Sequence, residues 1–72
     1  PAADDSIARL LRRLSPEHRQ VVLMRYVDDL TPDEIAAALE VPTGTVKSRL
    51  HHAIAQLREE AADAGRAISD FL

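Results

Sequence analysis

Cysteine and tryptophan are absent from the 72 residues, and there is only one Phe, one Tyr and two Gly. The missing thiols exclude disulfides and thiolate metal sites. A small secreted domain ordinarily needs such staples, so a cytoplasmic setting is expected. The shortage of aromatics leaves a core of Leu, Val, Ile and Ala, which supply most of the 46% apolar content. Few glycines among abundant Ala, Leu, Arg and Glu favour helices. No apolar run approaches a membrane span, and no signal peptide is visible. A chain of this length forms one small domain. It begins with Pro1, so it is expected to be a piece of a longer protein.

Acids are missing from one stretch in particular. The formal charge is −3, which argues weakly against a nucleic-acid partner. The distribution says more, because cell-like salt screens charges beyond about 8 Å. Residues 28–41 hold Asp28, Asp29, Asp33, Glu34 and Glu40 without a cation. Residues 42–58 hold Lys47, Arg49 and Arg58 without an acid. The segment TVKSRLHH, residues 45–52, sits inside that acid-free stretch.

Apolar residues recur at helical spacings throughout. Ile7, Leu10, Leu11 and Leu14 mark a first helix, after the cap candidates Asp4 and Asp5. Ser15-Pro16 reads as an N-cap followed by a proline at the first helical position. That second helix is expected to run to about Asp28, with Val22, Leu23, Tyr26 and Val27 inward and Arg19 and Arg25 outside. Thr31-Pro32-Asp33-Glu34 has the form of a capping box opening a short third helix, with Ile35, Ala36 and Leu39 inward. Glu40-Val41-Pro42 interrupts it. A fourth helix begins near Pro42 or Thr43, carries the stripe Val46, Leu50, Ile54 and Leu57, and ends between Glu60 and Gly65. The domain is expected to span 1–60, with 61–72 as an extension of the last helix or a short amphipathic tail.

The expected fold is all-α: four helices whose last two, joined by about three residues, form a C-terminal helix-turn-helix of winged-helix-like type. In such a motif the second helix places its N-terminal half in the DNA major groove. Opposite the apolar stripe stand Lys47, Ser48, His51 and His52. Lys47 can donate to guanine O6 or N7, and Ser48 can donate or accept. Thr43, Thr45 and Arg49 suit the phosphate backbone, aided by free amides at Thr43 to Thr45. Taken singly, Lys47 or Arg49 is an ordinary solvated cation. The absence of acids around them and the preceding tight turn favour DNA. Adjacent histidines point roughly 100° apart around a helix, so His51 and His52 do not make a shared metal site. No metal, no cofactor and no catalytic constellation is expected, and the chain is not read as an enzyme.

Residues 14–58, LSPEHRQVVLMRYVDDLTPDEIAAALEVPTGTVKSRLHHAIAQLR, resemble region 4 of bacterial sigma factors, especially the extracytoplasmic-function group. The most specific element is P-x-G-T-V-K-S-R-L-H, Pro42 to His51, supported by EIAAAL before it and by L-x-R-Y at Leu23 to Tyr26. The resemblance implies a bacterial cytoplasmic domain that recognises the −35 promoter element within RNA polymerase holoenzyme. It assigns base contacts to Lys47, Ser48, His51 and His52, and backbone support to Thr45 and Arg49. It implies as partners promoter DNA, the flap of the polymerase β subunit and an anti-sigma factor.

The sequence departs from the family pattern at three places. Glu40 stands where glycine is usual. A left-handed cap there is strained by about a kcal/mol, so a different turn geometry is expected. His52 and Ile54 stand where arginine is frequent, and Pro32 where an aromatic is common. Two rival readings remain open: a sigma-like module held by an anti-sigma factor, and the helix-turn-helix output domain of another regulator. The acidic stretch 28–41 and the apolar tail with Ile68, Phe71 and Leu72 fit the former.

Overall fold

A computed structural model describes residues 8–63, and these are helical apart from three short turns. The helices are α1 (helical over 8–12), α2 (Pro16–Tyr26), α3 (Pro32–Leu39) and α4 (Thr43–Asp63). No strand occurs among the described residues. The cap candidates Asp4 and Asp5, the inward Ile7 and the tail from 64 onward lie outside them.

Local chemistry sets the helix boundaries. The Ser15 side chain accepts from the His18 amide at 3.2 Å, and Pro16 follows where its missing N–H leaves nothing unsatisfied. At the start of α3 the capping box closes in both directions. The Glu34 amide donates to the Thr31 hydroxyl at 3.1 Å, and the Thr31 amide donates to the Glu34 carboxylate at 2.8 Å. Donation from the Thr31 backbone, then hydrogen bonding to its side chain, holds the Glu34 carboxyl below its ordinary 4.5.

The turn after α3 departs from expectation. Glu40 adopts the left-handed conformation, φ 58 and ψ 46, despite its side chain. Two amides explain why the geometry persists. Those of Glu40 and Val41 both donate to the Ala36 carbonyl, the latter at 3.1 Å, so orphan donors and an end carbonyl are satisfied together. Val41 is thereby turned onto the core beside Leu39. These contacts outweigh a strain of about 1–2 kcal/mol.

The core consists of two aliphatic clusters along α4. Val21, Ile35, Ala36 and Val46 join α2, α3 and the first half of α4. Leu10, Leu14, Val22, Ala53, Leu57 and Ala61 join α1, α2 and its second half. Leu50 packs against both clusters. The α4 stripe differs in part from the sequence reading. Val46 and Leu57 are buried as expected, but Ala53 and Ala61 complete the fully buried row while Leu50 and Ile54 are half-buried. Alanines allow α1 and α2 to approach α4 closely at these points. Ala61, placed beyond the expected domain boundary, lies inside the second cluster.

α2 also differs. It ends at Tyr26, and its inward residues are Val21 and Val22. Leu23, Tyr26 and Val27 face outward, with Val27 72% exposed. This helix is apolar on two adjoining faces, and periodicity alone does not tell which one neighbours cover. Arg19 and Arg25 are half-buried along the boundary. No described helix is long and apolar enough to cross a membrane.

Candidate nucleic-acid interface

α4 is buried along Val46, Ala53, Leu57 and Ala61. At 3.6 residues per turn, the opposite side is centred on Gly44, Ser48, His51 and Ala55. All four are exposed, as are Lys47, His52 and Arg58. Val46 and Leu50 hold the phase: Val46 is 0% exposed, and Leu50 sits between the two core clusters. The four residues expected at base edges, Lys47, Ser48, His51 and His52, are thus brought together on one solvent-facing side. Lys47 and His52 occupy opposite flanks of it, about 140° apart around the axis. On the Lys47 flank, a shallow groove is lined by Lys47, Leu50, His51, Ile54, Ala55 and Arg58.

The residues expected at the backbone behave differently from one another. Arg49 is half-buried and leans toward α2, its Nη2 3.8 Å from the Glu17 carboxylate. The Thr43 hydroxyl donates to the Asp33 carboxylate at 3.0 Å. Its proton is therefore engaged within the protein. Thr45 is half-buried, and its amide donates to the Pro42 carbonyl at 3.0 Å. The expected set of free amides from Thr43 to Thr45 is accordingly reduced to Thr43 and Gly44. A proline carbonyl just ahead of the helix captures the third amide and, at 3.3 Å, that of Val46.

The side of α4 nearest α2 holds a feature that sequence reasoning missed. The His18 ring, in the first turn of α2, lies 6.3 Å from the His52 ring, and His52 lies 5.6 Å from His51. These residues are 34 positions apart in the chain, and no local spacing signals their meeting. Among the described residues no group of three or more His, Cys, Asp or Glu is arranged to hold a metal ion.

A long helix whose exposed polar side carries no acid from Thr43 to Arg58, held in phase by a short capped helix and a tight turn, has the geometry of a groove-reading helix-turn-helix. The profile described as "Sigma-70, region 4" matches residues 4–57. The chain belongs to the sigma-70 region 4 family. This region 4 domain is 49% identical over 51 residues to the RNA polymerase sigma-E factor of Streptomyces avermitilis, covering 71% of the chain and 28% of that protein. It is 46% identical over 52 residues to the ECF RNA polymerase sigma factor SigL of Mycobacterium tuberculosis, covering 72% and 29%. Against the ECF RNA polymerase sigma factor SigW of Bacillus subtilis it is 34% identical over 59 residues, covering 82% and 32%. The chain thus spans less than a third of each of these relatives.

Proposed function

We propose that this region 4 domain recognises a promoter −35 element within RNA polymerase holoenzyme, with α4 in the major groove, and that it has no enzymatic activity of its own. The observation that carries this reading is the exposed side of α4. From Gly44 to Arg58 it holds Lys47, Ser48, His51, His52 and Arg58 and no acid. Lys47 and Ser48, in the first two turns, are the base-reading pair, since the N-terminal part of a recognition helix reaches base edges. His51 follows one turn later on the same side. Thr45 and Arg49 support the backbone, Arg49 after exchanging Glu17 for a phosphate. Thr43 contributes its backbone amide, because its hydroxyl is held by Asp33. Binding by the isolated domain is expected to be weak, because few phosphates are neutralised and the net charge opposes approach.

The test is a comparison of a −35-like duplex with a scrambled one. The promoter duplex should bind more tightly, and Lys47→Ala should weaken that duplex selectively. Equal binding of both, unchanged by Lys47→Ala, would rule out base reading by α4.

A second observation favours a protein contact on the same domain. Leu23, Tyr26 and Val27 form an exposed apolar surface at the end of α2, bordered by Asp28 and Asp29. Contiguous exposed apolar surface marks an interaction site. We assign it to the flap of the polymerase β subunit, with an anti-sigma factor as the competitor that masks the domain. Tyr26→Ser should weaken capture by core polymerase while duplex binding by the domain is retained. Loss of duplex binding with unchanged polymerase capture would contradict the assignment.

A further inference from the structure

His52 lies outside the base-reading pair Lys47 and Ser48, one turn further along α4. The structure gives His52 a partner. Its ring stands on the flank of α4 that faces α2, 6.3 Å from the ring of His18, with the two planes inclined at 37°. Neither ring makes a hydrogen bond among the described residues; the bond at His18 is made by its backbone amide, which donates to the Ser15 hydroxyl. The ring nitrogens of both are therefore available to a ligand. His52 is exposed and His18 half-buried, so a ligand reaches both from the solvent side of the α2–α4 junction.

We propose that His18 and His52 form a two-imidazole clamp for one DNA phosphate, which charges by taking up protons as the duplex binds. This rests on the reading of α4 as the groove-facing helix. A helix that enters the groove N-terminus first brings its first two turns, with Lys47 and Ser48, to the base edges, while side chains on the flanks of later turns come nearer the phosphate strands. His52 lies on the flank beside α2, so it meets a phosphate rather than a base edge. Histidine is the side chain that changes charge between pH 5 and 8. A phosphate oxygen between two imidazoles favours the charged form of each and gives charge-assisted hydrogen bonds.

The surrounding charges fit this. α2 contributes Glu17 and Arg19, and α4 contributes Arg49, His51 and, two turns beyond His52, Glu59. The end of α1 contributes Arg13, paired with Glu60 at 2.6 Å. α3 packs on the other half of α4, away from this junction. Glu17, the residue before His18, is engaged with Arg49 at 3.8 Å, so this acid already faces a cation. The clamp therefore supplies a positive charge that depends on pH.

The test is duplex affinity of the full chain measured from pH 8 to pH 6, together with imidazole nitrogen shifts with and without duplex. The wild-type protein should gain about tenfold in affinity over that range, beyond the change seen in His18→Gln/His52→Gln, and both imidazoles should become protonated in the complex. Each single variant should remove most of that gain, because a clamp needs both rings. The salt dependence at pH 6 should fall by about one phosphate contact in the double variant. Both side chains lie at the surface of the junction, and circular dichroism checks that the variants remain folded. If duplex binding is sensitive to Lys47→Ala but its pH dependence is the same with and without the two histidines, the clamp is wrong and the DNA reading stands. If no duplex binds at any pH, both fail. If His52→Gln changes which base is preferred and leaves the pH dependence intact, His52 is a base reader and the clamp is overturned.

Discussion

Arg49 on α4 reaches back to Glu17 in the first turn of α2, with Nη2 3.8 Å from the carboxylate. The Glu17 side chain is 72% exposed, so the pair contributes little to stability. With Arg49 proposed as a phosphate contact, the consequence of the pair lies in binding, because Glu17 would compete with the phosphate for the same guanidinium. Glu17→Gln should therefore tighten binding to promoter and scrambled duplexes alike, by several-fold. Thermal unfolding should be nearly unchanged. Arg49→Ala should weaken both duplexes and lower the salt slope by about one.

Asp33 plays a comparable part at the first residue of α4. It accepts the Thr43 hydroxyl at 3.0 Å, placing a negative charge beside the amides of Thr43 and Gly44. Asp33→Asn keeps an acceptor for the hydroxyl and removes the charge. Duplex affinity should rise, most clearly at low salt, where surface charges are least screened. Unchanged affinity at low salt would mean that the start of α4 does not approach a phosphate.

Glu40 holds the turn between α3 and α4 in a left-handed conformation that glycine adopts without strain. Glu40→Gly should stabilise the domain by about 1 kcal/mol, less the added freedom of the unfolded chain. A rise in Tm of several degrees is expected for a domain of this size. Glu40→Val should lower Tm, since a β-branched residue is least tolerant of that conformation.

The capping box makes α3 sensitive to acid. Thr31 lowers the Glu34 carboxyl below 4.5, first through its backbone amide. A carboxyl lowered in the folded state stabilises the fold above its unfolded value, and that stability is lost as pH falls through the lowered folded value. Glu34→Gln should therefore narrow the stability difference between pH 6 and pH 3. Thr31→Ala should lower stability by about 1 kcal/mol near neutral pH through the lost cap. Urea unfolding at the two pH values separates these effects.

Ala61 belongs to the second core cluster at 0% exposure, so the folding unit is proposed to extend past the expected boundary at residue 60. Ala61→Asp buries an unpaired charge against Leu10 and Leu57 and should unfold the second cluster. Leu57→Ala should cost about 2–5 kcal/mol. Near-native urea midpoints for both variants would contradict this packing.

The helix order, the capping box and the polar side of α4 were legible in the sequence because each is encoded locally. Thr31 and Glu34 are three residues apart, and Val46 sets the phase of Lys47 and Ser48 within one turn. Three things were not legible. The outward direction of Leu23, Tyr26 and Val27 depends on which side of α2 its neighbours cover. The left-handed Glu40 depends on the gain at Ala36 and Val41, which propensity does not contain. Glu17 against Arg49, and His18 against His52, depend on how α2 docks on α4, a relation between residues more than thirty positions apart. The motif pointed to α4 as the helix proposed to read DNA. The packing brought Glu17, Asp33 and His18 beside it.

The central claim is that α4 reads bases through Lys47. The most direct measurement is selection of bound duplexes from a randomised pool by the wild-type chain and by Lys47→Ala, followed by sequencing. The predicted result is a short enriched element in which Lys47→Ala relaxes the preference at one position, a loss of about 1–3 kcal/mol there. No enrichment by the wild-type chain, or the same element enriched equally by Lys47→Ala, would contradict it.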